Sequence, residues 1–540
     1  MTVYHAKRMY ERYERGECFM ITNLKKQEYL NRLMGLEIPE VYQTFPKDFH
    51  VDVNGWSFVD YEETKYIDVQ LSDSEVAELK EHGLLEKIHH ISGNMYKVKR
   101  LRTMDIELAS DSAIDAMNTL KIRFERGEFK GQDDVVDMDA LKREFAGMYR
   151  TTCTQRCPHC FNQEDDFYVR KILDGHELLK WSDMKQILAE AKKIGLESVK
   201  FLGIGEIFKI PDLFKILDDL RQMDIKIGIF TKGTALGDDK IAKDCGYEGV
   251  ETAEELVRRL SEYDNVSILL GGNSFVPEIQ DRMVGCGKDG GVTSYTEKRD
   301  CALKLLVKYG FNDPAKGKRL ALVAAPVTPE VSDETVVMYE WAMHRNITVI
   351  TIPTMVSGKG TDELEWLLGQ FETNKELISR YDESNILTRE ERYVRWLADF
   401  YSDIYMSAIN MGITGLDTLK KEGISGYAGA AKCQQMHNGM YIRLPGTVQE
   451  CPGRCVGAEI ADDIRDKCLF ATWIGSKNYD RKDDCRALCA VKMKNLTGTD
   501  VKVCDCCTVY DNVGSMPLEL ERDTLIALEQ KLSRGAGKNV

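Results

Sequence analysis

The sequence predicts an α/β protein built around an incomplete (β/α)6 barrel, with an α+β module before it and a cysteine-rich domain after it. Three observations support this fold class. A chain of 540 residues is long enough to bury several cores. Between residues 146 and 360, short apolar runs alternate with amphipathic helical patterns, which is typical of βα units around a parallel sheet. Nine of the 16 cysteines lie between Cys433 and Cys507.

Composition excludes several classes of function. The formal net charge is -15, so nucleic acid is an unfavourable partner. No stretch approaches the roughly 18 uncharged apolar residues that span a bilayer, and the first residues lack the apolar core of a signal peptide. We therefore expect no membrane association and a cytoplasmic location. In that compartment thiols stay reduced, so 16 cysteines indicate metal or redox chemistry more than disulfides.

Residues 1–140 mix strand and helix patterns. The stretches "VNGWSFVDYEE", "KYIDVQL" and "GNMYKVKRL" predict strands, and "DSEVAELKEHGLLEKI" predicts a helix. Together they suggest a small winged-helix-like or β-hairpin module. Such a module would serve in substrate or peptide binding, or as a lid.

Residues 141–361 carry the barrel pattern. Amphipathic helical segments separate six apolar runs that predict strands, at residues 146–152, 197–205, 224–233, 265–272, 319–328 and 347–356. Active sites of such barrels collect at the C-terminal ends of the strands. Residues 362–425 predict a helical linker, and residues 426–540 form the cysteine-rich domain.

The stretch "YRTTCTQRCPHCF" places Cys153, Cys157 and Cys160 in a CxxxCxxC spacing, directly after the first predicted strand. A structural zinc site would need a fourth ligand, and His159 would have to turn back toward an ion that its neighbours already hold. An iron-sulfur cubane suits three closely spaced thiolates better, and it leaves one iron open to a further ligand.

This motif at the end of a barrel strand resembles the radical S-adenosylmethionine (radical SAM) family. The resemblance implies that the three cysteines hold a [4Fe-4S] cluster whose open iron binds SAM. An electron from an external donor of the flavodoxin or ferredoxin type would then cleave SAM to a 5'-deoxyadenosyl radical, which abstracts a substrate hydrogen. His159 takes the place of an aromatic residue near the adenine, and Phe161 is a further candidate for SAM binding.

A second motif supports the resemblance. The run "FLGIGEIFKI" resembles the family's Gly-Gly-Glu motif, which engages the SAM amino group; it matches at Gly205 and Glu206 but has Ile204 at the usual first glycine. The alternative is an ordinary strand-to-helix turn with a solvated glutamate. The other candidates for SAM contact are polar or glycine residues near strand ends, which also commonly form turns: Gly203, Thr231, Lys232, Ser267, Asn273 and Ser274.

The late cysteines resemble the SPASM extension of radical SAM enzymes, which holds one or two auxiliary [4Fe-4S] clusters. Cys433, Gly446 and Cys451 match its Cx(9 to 15)GxxxxC unit, and the CxxxC unit is also present. The CxxC pair that normally precedes the CxxxC is missing, so other cysteines would substitute. Two structural zinc sites are the alternative, although paired CxxC knuckles are lacking. The implied ligands are Cys433, Cys451, Cys455, Cys468, Cys485, Cys489, Cys504, Cys506 and Cys507.

The resemblance implies an oxidoreductase, with peptide or protein modification as the first function. A dehydrogenase or epimerase acting on a sugar or amino acid derivative is the second, and its motifs would be the same. A non-enzymatic iron-sulfur electron carrier is the third, but it would have no use for the SAM motif at Gly205 and Glu206.

Overall fold

A computed structural model describes most of the chain: residues 24–41, 65–130, 135–353, 358–382, 384–422, 424, 438–450, 452, 459–476, 479 and 518–536. The predicted strand "VNGWSFVDYEE" and every C-terminal cysteine except Cys468 lie outside these ranges. In the described ranges no helix has both the length and the apolar character needed to cross a membrane.

The strands of the described residues belong to two sheets. They are β1 (Tyr66–Gln70), β2 (His89–Ser92), β3 (Met95–Lys99), β4 (Thr103–Glu107), β5 (Ser198–Gly203), β6 (Lys226–Thr231), β7 (Val266–Gly271), β8 (Leu320–Ala324), β9 (Thr348–Thr351), β10 (Gly439–Ile442), β11 (Val448–Gln449) and β12 (Glu459–Ala461).

The α-helices of the described residues lie between and beyond these strands. They are α1 (Leu24–Gly35), α2 (Asp73–Glu81), α3 (Asp111–Glu125), α4 (Met138–Thr152), α5 (Asp165–Leu173), α6 (Trp181–Lys193), α7 (Leu213–Gln222), α8 (Asp239–Asp244), α9 (Ala253–Ser261), α10 (Pro277–Met283), α11 (Tyr295–Lys308), α12 (Ser332–Met343), α13 (Gly360–Thr373), α14 (Lys375–Tyr381), α15 (Arg389–Asn410), α16 (Leu416–Glu422), α17 (Leu469–Gly475) and α18 (Leu518–Ala536).

The main sheet has the order β12-β11-β10-β4-β5-β6-β7-β8-β9. Its neighbours are parallel from β4 through β9, and β10 also runs parallel to β4. Only the added edge, β11 and β12, is antiparallel. The predicted α/β class and its six-stranded parallel sheet are therefore confirmed, with helices connecting the strands as expected.

The identity of the first parallel strand was predicted wrongly. Residues 146–152 form the end of α4, in which Leu141, Phe145 and Tyr149 recur every four residues and are buried along one helix face. The strand that pairs with β5 is β4, from the range assigned to the N-terminal module. Every residue of β4 is buried, but Asp105 and Glu107 interrupt its apolar pattern. For this reason the sequence pattern did not predict a strand there.

Among the described residues, the other predicted strands and the predicted N-terminal helix are found where the patterns placed them. β5 to β9 all lie within the five later predicted strands, and β1, β3 and α2 occupy the predicted N-terminal segments. The small antiparallel sheet has the order β1-β3-β2. In the predicted linker, α15 buries Tyr393, Trp396 and Tyr401 in the main hydrophobic core.

Candidate functional site

A cavity of about 210 Å³ opens at the C-terminal ends of β5 to β9. This is the edge at which parallel α/β barrels carry their active sites. Its wall combines thiols, a few charged groups and apolar side chains. The lining residues are Tyr149, Cys153, Gln155, Cys157, His159, Cys160, Phe161, Asn162, Lys200, Leu202, Gly205, Glu206, Phe230, Thr231, Lys232, Gly271, Val323, Ala325, Pro326, Ile352, Pro353 and Pro452.

The cavity face of the sheet is polar on one side and apolar on the other. On β7 to β9 there is a buried apolar cluster, against which the partly buried Phe230 of β6 packs: Leu269, Ala321, Val323, Ile350 and Ile352. On β4 and β5, and directly after β10, the buried side chains include Asp105, Glu107, Lys200 and Arg443. Of these four charged residues only Lys200 lines the cavity, whereas Val323 and Ile352 line it from β8 and the end of β9.

The cysteine loop begins where α4 ends, with Cys153 as the residue that follows its last turn. Two backbone hydrogen bonds hold the loop against residues 284–292: Arg156 N donates to Val284 O at 3.1 Å, and Val292 N donates to Thr154 O at 3.0 Å. At its other end, Lys359 N donates to Cys160 O at 3.0 Å. The loop is thus fixed at both ends by backbone groups, which leaves its side chains to line the cavity.

The three thiols are half-buried and face one another closely enough to interact electrostatically. Burial raises the pKa of Cys153 to about 12, and the nearby Cys157 adds to the shift. Burial also raises the pKa of Cys157, against the opposing effect of the Lys232 ammonium. Buried thiols of this kind become thiolates only when a positive partner such as a metal compensates the lost solvation.

Hydrogen-bond donors lie next to two of the three sulfurs. Gln155 N donates to Cys153 Sγ at 3.4 Å, and the buried Tyr149 hydroxyl is 3.9 Å from Cys160 Sγ. Among the described residues no three Cys, His, Asp or Glu side chains surround a point suited to a single metal ion. Three neighbouring thiols are the donor set of a cubane with one open iron, in which each thiolate would bind a different iron.

Glu206 lies at the cavity wall, where its side chain is held by the end of β6. The Thr231 hydroxyl donates to Oε1 at 2.7 Å, and Lys232 N donates to Oε2 at 3.1 Å. Burial raises the pKa of this carboxyl, while these two hydrogen bonds lower it. A carboxylate in such a position can accept a further donor, and an ammonium group would also compensate its lost solvation.

Gly205 brings the strand end against the cysteine loop. Its φ is +86°, and a Cβ atom there would lie 2.3 Å from the Thr152 carbonyl oxygen. The same carbonyl accepts a 2.8 Å hydrogen bond from Glu206 N. Only glycine permits this approach, so the Gly205-Glu206 pair links the end of β5 to the residue that precedes Cys153.

His159 is half-buried in the cavity wall beside Phe161. Burial lowers the pKa of its imidazole to about 3, and the Lys232 ammonium contributes in the same direction. The ring is therefore neutral at physiological pH. A neutral aromatic ring suits stacking against a flat, uncharged group such as a purine.

Lys200 and Asp105 form a buried ion pair across β5 and β4. Lys200 Nζ is 2.9 Å from Asp105 Oδ1, and the two side chains are 6% and 0% exposed. Lys200 lines the cavity, and burial raises the pKa of Asp105 while the lysine lowers it. The Lys200 ammonium is therefore held in place at the cavity wall, and the Asp105 carboxylate, which does not line the cavity, balances its charge.

Four of the predicted SAM-binding residues do not line the cavity. The Ser267 hydroxyl, near the start of β7, accepts a 3.0 Å hydrogen bond from Arg319 N. Asn273 and Ser274 both donate backbone N–H groups to Gln280 Oε1, at 2.7 and 2.8 Å. Gly203 packs against Asn162, which lines the cavity in its place. The polar strand-end pattern could not separate these turn-forming roles from ligand binding.

Cys468 is the predicted auxiliary-cluster cysteine that the structure describes. Its Sγ accepts a 3.4 Å hydrogen bond from Ala471 N at the start of α17. Burial raises the pKa of this thiol to about 12, and the Glu78 carboxylate adds to the shift. In these surroundings Cys468 acts as a helix cap.

Several cavity residues were not identified from the sequence. Lys200 and Asn162 carry no local motif, and Tyr149 was assigned to a strand. Gly271 and Pro452 reach the cavity from β7 and from the segment that follows β11. The only sequence signals were the interruption of an apolar strand by Lys200 and the proximity of Pro452 to Cys451.

Comparisons with known proteins bear on residues 150–342, which match the family model described as the radical SAM superfamily. Among solved structures, the chain is similar to SuiB from Streptococcus suis, with 14% identity, a TM-score of 0.37 and coverage of 81% of this chain and 80% of that chain. SuiB bound to S-adenosylmethionine gives 14% identity, a TM-score of 0.36 and coverage of 82% and 79%. SuiB bound to the precursor peptide SuiA gives 14% identity, a TM-score of 0.37 and coverage of 77% of this chain and 72% of that chain. No curated protein sequence matches the chain.

Proposed function

We propose, from the radical SAM domain that residues 150–342 form, that this protein is a radical SAM oxidoreductase. One observation supports this most strongly: three half-buried thiols and the Glu206 carboxylate line a single cavity at the C-terminal ends of the parallel strands. Such a cavity offers both a site for a cluster with an open iron and an anionic group for the SAM ammonium.

Different residues of the cavity would bind the cluster and SAM. Cys153, Cys157 and Cys160 would hold a [4Fe-4S] cluster, which supplies the electron that cleaves SAM to a 5'-deoxyadenosyl radical. Glu206, oriented by Thr231 and by Lys232 N, would accept the SAM amino group. The electron would come from an external flavodoxin or ferredoxin, in a cytoplasmic location that keeps the thiols reduced.

The cysteine-rich region, residues 426–540, would hold one or two auxiliary [4Fe-4S] clusters that relay electrons from the substrate radical. Without Cys468, eight cysteines remain after residue 425, which is the number that two fully ligated cubanes need. They are Cys433, Cys451, Cys455, Cys485, Cys489, Cys504, Cys506 and Cys507.

The substrate would be a peptide or protein. Residues 65–99 form a small antiparallel sheet with one helix, and all four residues of its edge strand β2 are exposed. An exposed edge strand offers unpaired backbone groups to which an extended peptide can add. Residues 1–140 would then contribute the peptide-binding module as well as β4 of the main sheet.

The activity is tested with reconstituted protein, dithionite and SAM under anaerobic conditions, with 5'-deoxyadenosine as the measured product. We expect release of 5'-deoxyadenosine by the unaltered protein and none by a Cys153→Ala, Cys157→Ala, Cys160→Ala triple variant, which should also lose about four irons per chain. A Cys245→Ala, Cys301→Ala double variant is the matched control and should keep both. Absence of 5'-deoxyadenosine from fully loaded, unaltered protein would rule out the proposed chemistry.

The substrate class is tested separately. Short peptides encoded next to this protein would be co-expressed with it and examined by mass spectrometry for a loss of hydrogen or a new cross-link. An unmodified peptide, together with turnover of a sugar or amino acid derivative, would favour the small-molecule alternative.

A further inference from the structure

A buried polar network joins the C-terminal strand β10 to the cysteine loop, and Glu107 on β4 is at its centre. Glu107 Oε1 accepts hydrogen bonds from the hydroxyls of Tyr168 and Tyr441 and, at 3.2 Å, from Arg443 Nε. Its other oxygen accepts one from Leu444 N at 2.9 Å. Glu107 is fully buried, so these donors together compensate its lost solvation.

Two members of this network reach the residues that follow the last cysteine of the loop. The Tyr441 hydroxyl is within donating distance of two acceptors, Asn162 Oδ1 at 3.2 Å and Glu107 Oε1. Arg443 Nη1 donates to Glu164 Oε2. Asn162 and Glu164 are two and four residues beyond Cys160, so both side chains act on the segment that leaves the cysteine loop.

The same two residues are also tied to the rest of the cavity. Asn162 Nδ2 donates to Leu202 O at 2.9 Å, at the end of β5, and Asn162 itself lines the cavity. Glu164 Oε1 accepts from Gly358 N at 3.3 Å, and the next residue, Lys359, donates to Cys160 O. The orientation of Cys160 therefore depends on contacts that begin at β10.

Arg443 is held rigidly enough to transmit this constraint. It is 2% exposed, its guanidinium carbon is 3.9 Å from the Phe167 ring centroid, and Nη2 donates to the Tyr168 hydroxyl at 3.0 Å. The backbone of residues 439–442 pairs in parallel with β4, and Arg443 and Leu444, which follow, bind the Glu107 side chain.

We propose that Tyr441, Arg443 and Glu107 are positioning residues for the cluster site, through which the C-terminal region sets the geometry of the cysteine loop and of SAM binding. The proposal rests on the proposed function, because it assumes a SAM-binding cluster at Cys153, Cys157 and Cys160. It extends that function by making the SAM site dependent on residues about 280 positions later in the chain.

The network could instead contribute only to stability, so the test needs a readout that stability alone does not move. SAM binding to an open iron changes the electron paramagnetic resonance spectrum of the reduced cluster that it ligates, while fully ligated auxiliary clusters are insensitive to it. Titration with SAM therefore reports the positioning of this one site. The melting temperature reports stability independently.

The central variant is Tyr441→Phe, which removes one hydroxyl and keeps the ring. Its matched control is Tyr381→Phe, because the buried Tyr381 hydroxyl donates to Asp399 Oδ2 at 3.2 Å, between α14 and α15. We expect Tyr441→Phe to weaken apparent SAM affinity by about tenfold or more, as loss of an outer-shell partner does at metal sites. Tyr381→Phe should lower the melting temperature without changing the SAM titration.

A second network variant with its own control keeps the proposal testable if Tyr441→Phe fails to fold. Arg443→Lys keeps a charge but loses the forked contacts to Glu107 and Glu164, and its control is Arg392→Lys at the buried pair with Asp382. The proposal is overturned if both network variants titrate with SAM like the unaltered protein while their melting temperatures fall as the controls' do. If the unaltered protein itself shows no SAM-dependent spectrum, the proposed function fails instead.

Discussion

The Thr231 hydroxyl donates a 2.7 Å hydrogen bond to Glu206 Oε1, joining the ends of β6 and β5 at the cavity. The contact fixes the carboxylate that Lys232 N holds from the other side. Because Glu206 is 6% exposed, its position depends on these donors more than on water.

The first prediction concerns this carboxylate. Glu206→Gln keeps the shape of the side chain but removes its charge, and hydrogen bonds to charged groups contribute about 1.5–3 kcal/mol. We therefore expect SAM to bind roughly 10- to 100-fold more weakly, measured by anaerobic calorimetry on cluster-loaded protein. Thr231→Val should weaken binding less, since Lys232 N remains, and Thr231→Ser should restore it. Unchanged binding by Glu206→Gln would remove this residue from the SAM site.

The second prediction concerns the buried pair of Lys200 and Asp105. Asp105→Asn leaves the ammonium without its counter-charge, and breaking one partner of a buried pair typically costs about 3–5 kcal/mol in the free energy of unfolding. We expect a loss of that size in denaturant titrations, and a smaller one for the Lys200→Met, Asp105→Leu double variant. Lys240→Met, at an exposed pair with Asp244, is the control and should leave the free energy of unfolding nearly unchanged.

The third prediction separates two roles for Cys468. If its sulfur caps α17, Cys468→Ser keeps the cap and the melting temperature, whereas Cys468→Ala destabilises the protein by about 1 kcal/mol. We expect both variants to retain the iron content of the unaltered protein, since the sulfur is engaged at the start of α17 and the Glu78 carboxylate lies beside it. Loss of iron from Cys468→Ser would identify it as a cluster ligand.

The fourth prediction is a pH dependence of stability at Glu334. Burial raises the pKa of this carboxyl from 4.5 to about 7, and the carboxylates of Glu330 and Asp333 add to the shift. The folded protein therefore holds a proton that the unfolded chain releases above its ordinary pKa. This contribution to stability is fully present below about pH 4.5 and is lost as the pH rises through 7.

The measurement for Glu334 compares melting temperatures between pH 5.5 and 8.5. We expect Glu334→Gln to become progressively more stable than the unaltered protein across this range, because the amide is neutral and its oxygen can still accept from the Ser274 hydroxyl. Glu81→Gln, at an exposed position on α2, is the control for the substitution itself. A constant difference for Glu334→Gln would mean that this carboxyl is ionised throughout.

Local periodicity predicted much of the fold. β5 to β9 alternate with amphipathic helices at the positions that the sequence indicated, because long, regular apolar patterns depend only on neighbouring residues. The strand at residues 146–152 was wrong for the same reason: in a short apolar run, the spacing of Phe145 and Tyr149 fits a helix as well as a strand. β4 was missed because Asp105 and Glu107 are buried only through partners distant in the chain.

By itself, the sequence determined which local motifs the chain carries: the spacing of Cys153, Cys157 and Cys160 and the Gly205-Glu206 pair can be recognised without knowledge of the fold. The tertiary structure decided which other residues join them. Lys200, Asn162 and the network from Arg443 to Glu164 converge only because β10 pairs with β4, a contact between residues more than 300 positions apart. Such partners leave no local spacing in the sequence, since the energy that selects them comes from burial and hydrogen bonding across the folded sheet.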